Sequence, residues 1–308
     1  MSPTSVAAPY AFTTTLDRDA PLVGRVYDVA RGDFTTPDAV YRAAAGATYV
    51  LLGEKHDNPD HHALQARVIE AMVAAGRRPA VALEMIETDR QGALDGYLAG
   101  APTSAGLGAA VGWETSGWPP WPEYEPIAKV AIGARLAMVG ANVAHATARA
   151  IVHEGAGAID PATIARLGLD RPLAPADQAA LEQEMRDSHC GMLPEKRVAP
   201  MALAQRARDA TMADAMIGAD RGGGVVLVAG AGHVHRDRGA PLYLRARKAG
   251  ASIVTLAFAE ADRDTPDPRA YAPRYGSKAL PFDFVWFTPR ATDEDPCAGF
   301  RGAHPKAK

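Results

Sequence analysis

Short apolar runs bounded by glycine or proline recur along the chain, and stretches of helical periodicity separate them. Thr48–Gly53, Pro79–Leu83, Arg135–Gly140, Gly224–Ala229 and Ala251–Phe258 read as buried parallel strands. Val23–Asp28 and Asp283–Thr288 read as edge strands. Pro37–Ala45 is expected to be helical with Thr36 as cap, and Pro59–Ala75 with Asn58 as cap and a proline in its first turn. Thr88 caps an expected helix Asp89–Leu98, and Pro241–Ala249 joins the last two buried strands. Between the third and fourth core strands the alternation lapses. There Ala144–His153, Pro161–Gly168, Pro175–Asp187 and Val198–Gly218 all carry helical patterning. The pattern predicts an α/β fold: a mostly parallel sheet flanked by helices, with a small helical cap domain inserted before the fourth core strand. Residues 21–154 and 206–298 form the expected core and 155–205 the cap, with a loose arm at 1–20 and a tail at 299–308.

A length of 308 residues fits one large domain, or a domain carrying an insert. The formal charge of −3 gives no electrostatic case for nucleic acid or for an anionic membrane. The longest apolar candidate, Ala128–Val143, is broken by Lys129, Gly133, Arg135 and Gly140, so no transmembrane segment is expected. The amino terminus lacks the basic and apolar regions of a signal peptide. Two readings stay open: a cytoplasmic protein, or a periplasmic one whose export signal has been removed. Cys190 and Cys297 are read as free thiols, with a single disulfide as the alternative. Such a bridge would stabilise the chain by roughly 4–5 kcal/mol.

Ligands of open parallel sheets bind beyond the carboxyl ends of the strands. Those ends deliver Glu54 and His56, Glu84, Asn142, and the run Gly230-Ala-Gly-His-Val-His235. Alternate residues of an extended segment point the same way, so Glu54 and His56 can face one ligand. With Glu84 and His233 they make a set of oxygen and nitrogen donors. That set suits a divalent metal ion or a general base; helix caps and satisfied buried histidines are the bland alternative. Gly230 and Gly232 lack the third glycine of a dinucleotide-binding loop, and are better read as permitting close backbone approach. His61 and Gln65 share a helix face by spacing but read as ordinary polar positions.

Val111–Pro126 holds three tryptophans and a tyrosine, and is either a packing plug or a wall for a flat ligand. Tyr124 is a candidate haem-iron ligand, because phenolate is one known protein ligand of haem; a packed core tyrosine is the alternative. Trp118 and Trp121 could contact a porphyrin face. His189 and then His235 are further candidate ligands, and Arg208 could neutralise a carboxylate. No Gly-x-Ser-x-Gly elbow is present.

Several stretches together carry a family resemblance: Leu52-Gly-Glu-Lys-His-Asp-Asn-Pro-Asp-His-His, Ala82-Leu-Glu-Met85, Ser116-Gly-Trp-Pro-Pro-Trp-Pro-Glu-Tyr124, Ser188-His-Cys-Gly191, Ala204–Ala213, Ala229-Gly-Ala-Gly-His-Val234 and Phe284–Pro289. The chain resembles the ChaN-like family of iron-regulated haem-binding proteins, related to Tiki-type metalloproteases and erythromycin esterases. The resemblance implies a parallel α/β domain with a small helical domain, and haem binding, with a homodimer as one arrangement. It also implies that Glu54, His56, Glu84 and His233 match the polar site of the hydrolytic relatives. The first expectation is therefore a haem-binding protein of iron acquisition or storage. The alternative is a metal-dependent or general-base hydrolase of a small ester or amide, using the same cleft. Under a periplasmic location, the resemblance would also let Cys190 and Cys297 pair.

Overall fold

Every position of the strand Tyr49–Glu54 (β3) is buried, as a strand covered on both faces requires. Its side chains alternate between two apolar clusters. Tyr49 and Leu51 join the cluster under the later helices, Val50 and Leu52 the one under the earlier helices. The computed structural model of the chain describes residues 10–295, 297 and 298. Within them an eight-stranded sheet runs in the order β2-β1-β8-β7-β3-β6-β4-β5. Its strands are Val26–Asp28 (β1), Asp33–Thr35 (β2), β3, Ala80–Glu87 (β4), Met138–Asn142 (β5), Val225–Gly230 (β6), Ile253–Glu260 (β7) and Phe284–Thr288 (β8). All neighbours from β8 to β5 pair in parallel, while β1 pairs antiparallel with both β2 and β8. The expected mostly parallel α/β fold is what forms.

Pro37–Gly46 (α1), Pro59–Ala74 (α2), Gln91–Leu98 (α3), Ser104–Ala110 (α4) and Trp121–Gly133 (α5) precede β5. His145–Glu154 (α6), Pro161–Leu167 (α7), Pro175–Ser188 (α8) and Glu195–Ala219 (α9) follow it, and Ala240–Arg247 (α10) joins β6 to β7. The Asn58 side chain caps α2 by accepting from the Asp60 N–H, with Pro59 in the first turn.

Several expectations need correction. The glycine- and alanine-rich segment after α3, for which no element was expected, holds α4, capped by Thr103, whose hydroxyl accepts from the Gly106 N–H. The Trp-Pro segment opens α5, where Pro122 falls in a first turn that needs no N–H. The third core strand starts at Met138 because Arg135 turns the chain with φ +53°, and β5 therefore ends on Asn142. Thr88 begins a single 3-10 turn before α3 rather than capping a helix. From Tyr10 onward the expected loose arm is packed. Tyr10, Thr13 and Thr14 all donate to the Asp60 carboxylate, and Leu16 bridges Arg290. Residues 1–9 and the expected tail at 299–308 lie outside the described residues. The boundary drawn at 205 falls inside α9, a continuous 25-residue helix, so the helical block is joined rigidly to the sheet-covering layer. Cys190 and Cys297 are bridged, with Cα atoms 5.7 Å apart, so the expectation of free thiols is overturned.

Candidate functional site

Glu54 ends β3 on the face covered by α2 and α5, while Glu84 leaves β4 toward α9. The two carboxylates thus wrap the carboxyl end of the sheet from opposite faces, and they meet at Gly230, the last residue of the strand between them. The Gly230 N–H donates to Glu84 Oε2 at 2.7 Å. A Cβ on Gly230 would stand 2.8 Å from His56 Nε2 and 3.6 Å from Glu84 Oε2. Glycine is therefore required there by close approach, as expected. Glu54, His56, Glu84 and His233 come together at one edge of the sheet.

They form two hydrogen-bonded groups. In the first, Glu54 Oε1 accepts from His56 Nδ1 at 2.9 Å and from the Tyr124 hydroxyl at 2.5 Å, with His62 Nε2 3.4 Å away. In the second, His233 donates from Nδ1 to Asp209 at 2.7 Å and from Nε2 to Glu84 at 3.2 Å. Burial opposes charge on all of them, yet the partners decide the outcome. His62 and His56 outweigh the burial of Glu54 and hold it well below the carboxylate range. Burial of Glu84 is likewise overcome, chiefly by His233, which leaves it at about 2. Burial would lower His233, but Glu84 and Asp209 raise it to about 10. For Asp209 burial wins over the attraction of His233 and lifts it to about 6. At neutral pH an imidazolium therefore sits between two carboxylates.

These contacts correct the metal assignment. Among the described residues no group of three or more His, Cys, Asp or Glu side chains is placed to hold a metal ion. Both nitrogens of His233 and Nδ1 of His56 are spent on carboxylates, so the donors face each other rather than a common centre. The four residues do not fit a divalent metal.

Tyr124, expected as an iron ligand, is only 2 % exposed. Its ring stacks on His62 with centroids 3.9 Å apart, and burial together with Glu54 pushes its pKa up. A phenolate is disfavoured there, and the packed-tyrosine alternative holds. Trp121 packs against Trp113 and donates its indole N–H to the Ser104 carbonyl, so it belongs to the plug. Trp118 is half-buried and meets the His56 ring edge-on at 4.8 Å. His235 is buried against Tyr275 and Phe282, and burial pushes its pKa well below the ordinary value. It too is a core residue.

Besides a small pocket of about 210 Å³ between Glu84, Trp118, Asn142 and Arg208, two larger cavities lie at or beside the cluster. The first is a cleft of about 690 Å³ lined by Glu54, His56, Gln205, Gly230–His233, Phe258, Glu260 and Tyr275, with Lys55 and Arg274 also in its walls. The second is a groove of about 450 Å³ among α6, α8 and α9. His189 and Arg208 lie there, with Met185, Met201, His145, Arg149, His153 and Gln205, and no carboxylate lines it. Gln205 borders both cavities, and its amide lies 3.2 Å from His233 Nδ1. His189 Nδ1 donates to the Met185 carbonyl at 2.8 Å, which orients the ring and sets its tautomer. Composition reasoning missed His145, Arg149, Met185 and Met201. Their signal was helical spacing: 145, 148, 149, 152 and 153 on one helix face, 201, 204, 205 and 208 on another, and 185, 188 and 189 at the end of α8.

Fold and site together define a parallel α/β protein whose polar strand ends adjoin a groove rich in histidine, methionine and arginine. The chain belongs to the family described as haem-binding uptake, Tiki superfamily, ChaN, which matches residues 40–244. Among solved structures it is similar to ChaN of Campylobacter jejuni, whose structure is described as showing cofacial haem binding. The TM-score is 0.66 at 21 % identity, over 85 % of this chain and 95 % of that one. An erythromycin esterase mutant, EreC, matches with a TM-score of 0.44 at 13 % identity, over 84 % and 94 % of the two chains. The type III effector HopBA1 gives 0.40 at 15 %, over 82 % and 92 %. No curated protein matches in sequence.

Proposed function

We propose that this protein binds haem for iron acquisition or storage and seats it in the groove among α6, α8 and α9. The observation that carries this reading is the lining of that groove. It offers a tautomer-fixed histidine and thioether side chains for iron, apolar contact from Met185, Ala148, Ala204 and Val152, and Arg149 and Arg208 for the haem carboxylates. Bound haem would supply its iron as the carried group, with His189 as ligand. The 690 Å³ cleft suits haem less well, because Glu54 and Glu260 line it. A carboxylate set about 6 Å from another costs roughly 3 kcal/mol at an effective dielectric near 20.

A homodimer covering the outer face of the haem belongs to this proposal, as does residence in an oxidising compartment such as the periplasm, where a disulfide persists. The test is a hemin titration followed by absorbance. His189→Ala and Arg208→Ala should each weaken binding by about tenfold or more, and wild-type affinity in both would refute the placement.

One observation favours a second activity in the cleft. His56 is held through Nδ1 by Glu54, and its Nε2 faces Gly230 beside Glu84. That is the arrangement of an oriented general base. It supports hydrolysis of a small ester or amide without a metal, with His56 taking a proton from water and Glu54 fixing the ring. Glu54→Gln should abolish such hydrolysis while leaving hemin bound. Turnover of a panel of small esters that survives this substitution would exclude the reading.

A further inference from the structure

The disulfide stands beside the groove rather than in the core. Cys190 lies in the turn that ends α8, directly after His189. The turn is tight: Cys190 and Gly191 have φ of +57° and +68°, and their N–H groups donate to the Asp187 and Arg186 carbonyls. Cys297 lies 107 residues away, on the segment that leaves the carboxyl end of β8. That segment is pinned on its way, since the Ala291 N–H donates to Glu260 at the wall of the cleft. The chain after β8 therefore crosses the carboxyl edge of the sheet, and the disulfide fastens it to the helix that forms one wall of the groove.

Among the described residues, that wall is otherwise held by a small apolar cluster, a surface ion pair and a partly buried one. Leu181 and Met185 of α8 pack with Ala202 in a small apolar cluster separate from the two main ones. Glu184 makes the partly buried ionic contact, with Arg238 at 3.2 Å. Arg186 pairs with Glu195 at the surface, where such a pair contributes little. Both cysteines are half-buried rather than enclosed in the core.

We propose that Cys190–Cys297 is a redox clasp on ligand retention: closed, it holds the His189 wall of the groove in place, and opened by a dithiol reductant it lets α8 move and the ligand leave. A thiolate of the reductant attacks one sulfur, and its second thiol resolves the mixed disulfide. The S–S bond is replaced by two protein thiols, and the dithiol becomes a disulfide, for a transfer of two electrons and two protons. The ligand named here rests on the haem reading above; the clasp rests on the placement of the disulfide.

The full-length protein is prepared in three forms: oxidised wild type, wild type reduced with a phosphine and alkylated before hemin is added, and Cys190→Ser/Cys297→Ser. Two quantities are read, the rate of hemin transfer to excess apomyoglobin and amide hydrogen exchange of residues 181–193. Opening the clasp is expected to speed hemin release by about tenfold or more and exchange in 181–193 by a similar factor, with β3 and β6 unchanged. Release and exchange both within about twofold of the oxidised protein would overturn the proposal. If oxidised wild type takes up no hemin, the haem reading fails. The exchange data alone then decide the clasp, and unchanged exchange in 181–193 overturns it. Should the double variant not fold, the alkylated wild type supplies the open form.

Discussion

Two substitutions around His233 should behave differently although both remove a buried carboxylate charge. Glu84 titrates at about 2 against an ordinary 4.5. At about 1.4 kcal/mol per decade, its charged form is favoured in the folded protein by about 3 kcal/mol. Asp209 titrates at about 6 against 3.8, so its charged form costs the fold about 3 kcal/mol on the same scale. The physical difference lies in the partners. Glu84 also accepts from the Gly230 N–H, while Asp209 carries mostly burial. Glu84→Gln should therefore lower unfolding stability at pH 7 by about 3 kcal/mol, while Asp209→Asn should change it by less than about 1 kcal/mol, because relief of burial offsets the lost pair. Urea denaturation followed by far-UV circular dichroism measures both. A loss in Asp209→Asn as large as that in Glu84→Gln would refute the reasoning.

Three further outcomes follow from the same geometry. His233 is raised from 6.5 to about 10, so its stabilisation is complete below pH 6.5 and is lost as pH climbs toward 10. Glu84 is depressed, so its stabilisation is complete above pH 4.5 and is lost as pH falls toward 2. Unfolding stability should thus fall by about 1.4 kcal/mol per pH unit from pH 7 toward 10, read as a falling urea midpoint; a flat midpoint from pH 7 to 9 would contradict it. Tyr124→Phe should leave the hemin absorption bands in place and cost about 1.5–3 kcal/mol of stability through the lost bond to Glu54; a shifted band would restore Tyr124 as the iron ligand. Size-exclusion chromatography should show a dimer on hemin addition, and an unchanged monomer would remove the second copy from the proposal.

The sheet was legible because its evidence is local. A short apolar run that ends on glycine describes a buried parallel strand, and β3 and β6 lie where that pattern puts them. The strand-end residues were legible for the same reason, since a strand's last residue must sit at the sheet's edge. What failed depended on a third dimension. Tyr124 and Trp121 carry the residue types of a porphyrin wall, but α5 turns them into the core against His62 and Trp113. His235 sits two residues after His233, yet the turn between them sends it among Tyr275 and Phe282. The metal set failed because donors at neighbouring strand ends can satisfy one another, and whether they do is invisible in spacing. His189 and Arg208 were named separately, and only the packing of α8 against α9 shows that they line one groove.

The most direct test of the account is a side-by-side hemin titration of wild type, His189→Ala and His56→Ala, read by Soret absorbance and by the apparent Kd. Hemin seated among α6, α8 and α9 predicts that His189→Ala weakens binding by about tenfold or more and shifts the Soret band, while His56→Ala binds as wild type does. The reverse pattern, with His56→Ala losing hemin and His189→Ala retaining it unchanged, would move the haem to the cleft above Glu54 and contradict the central claim.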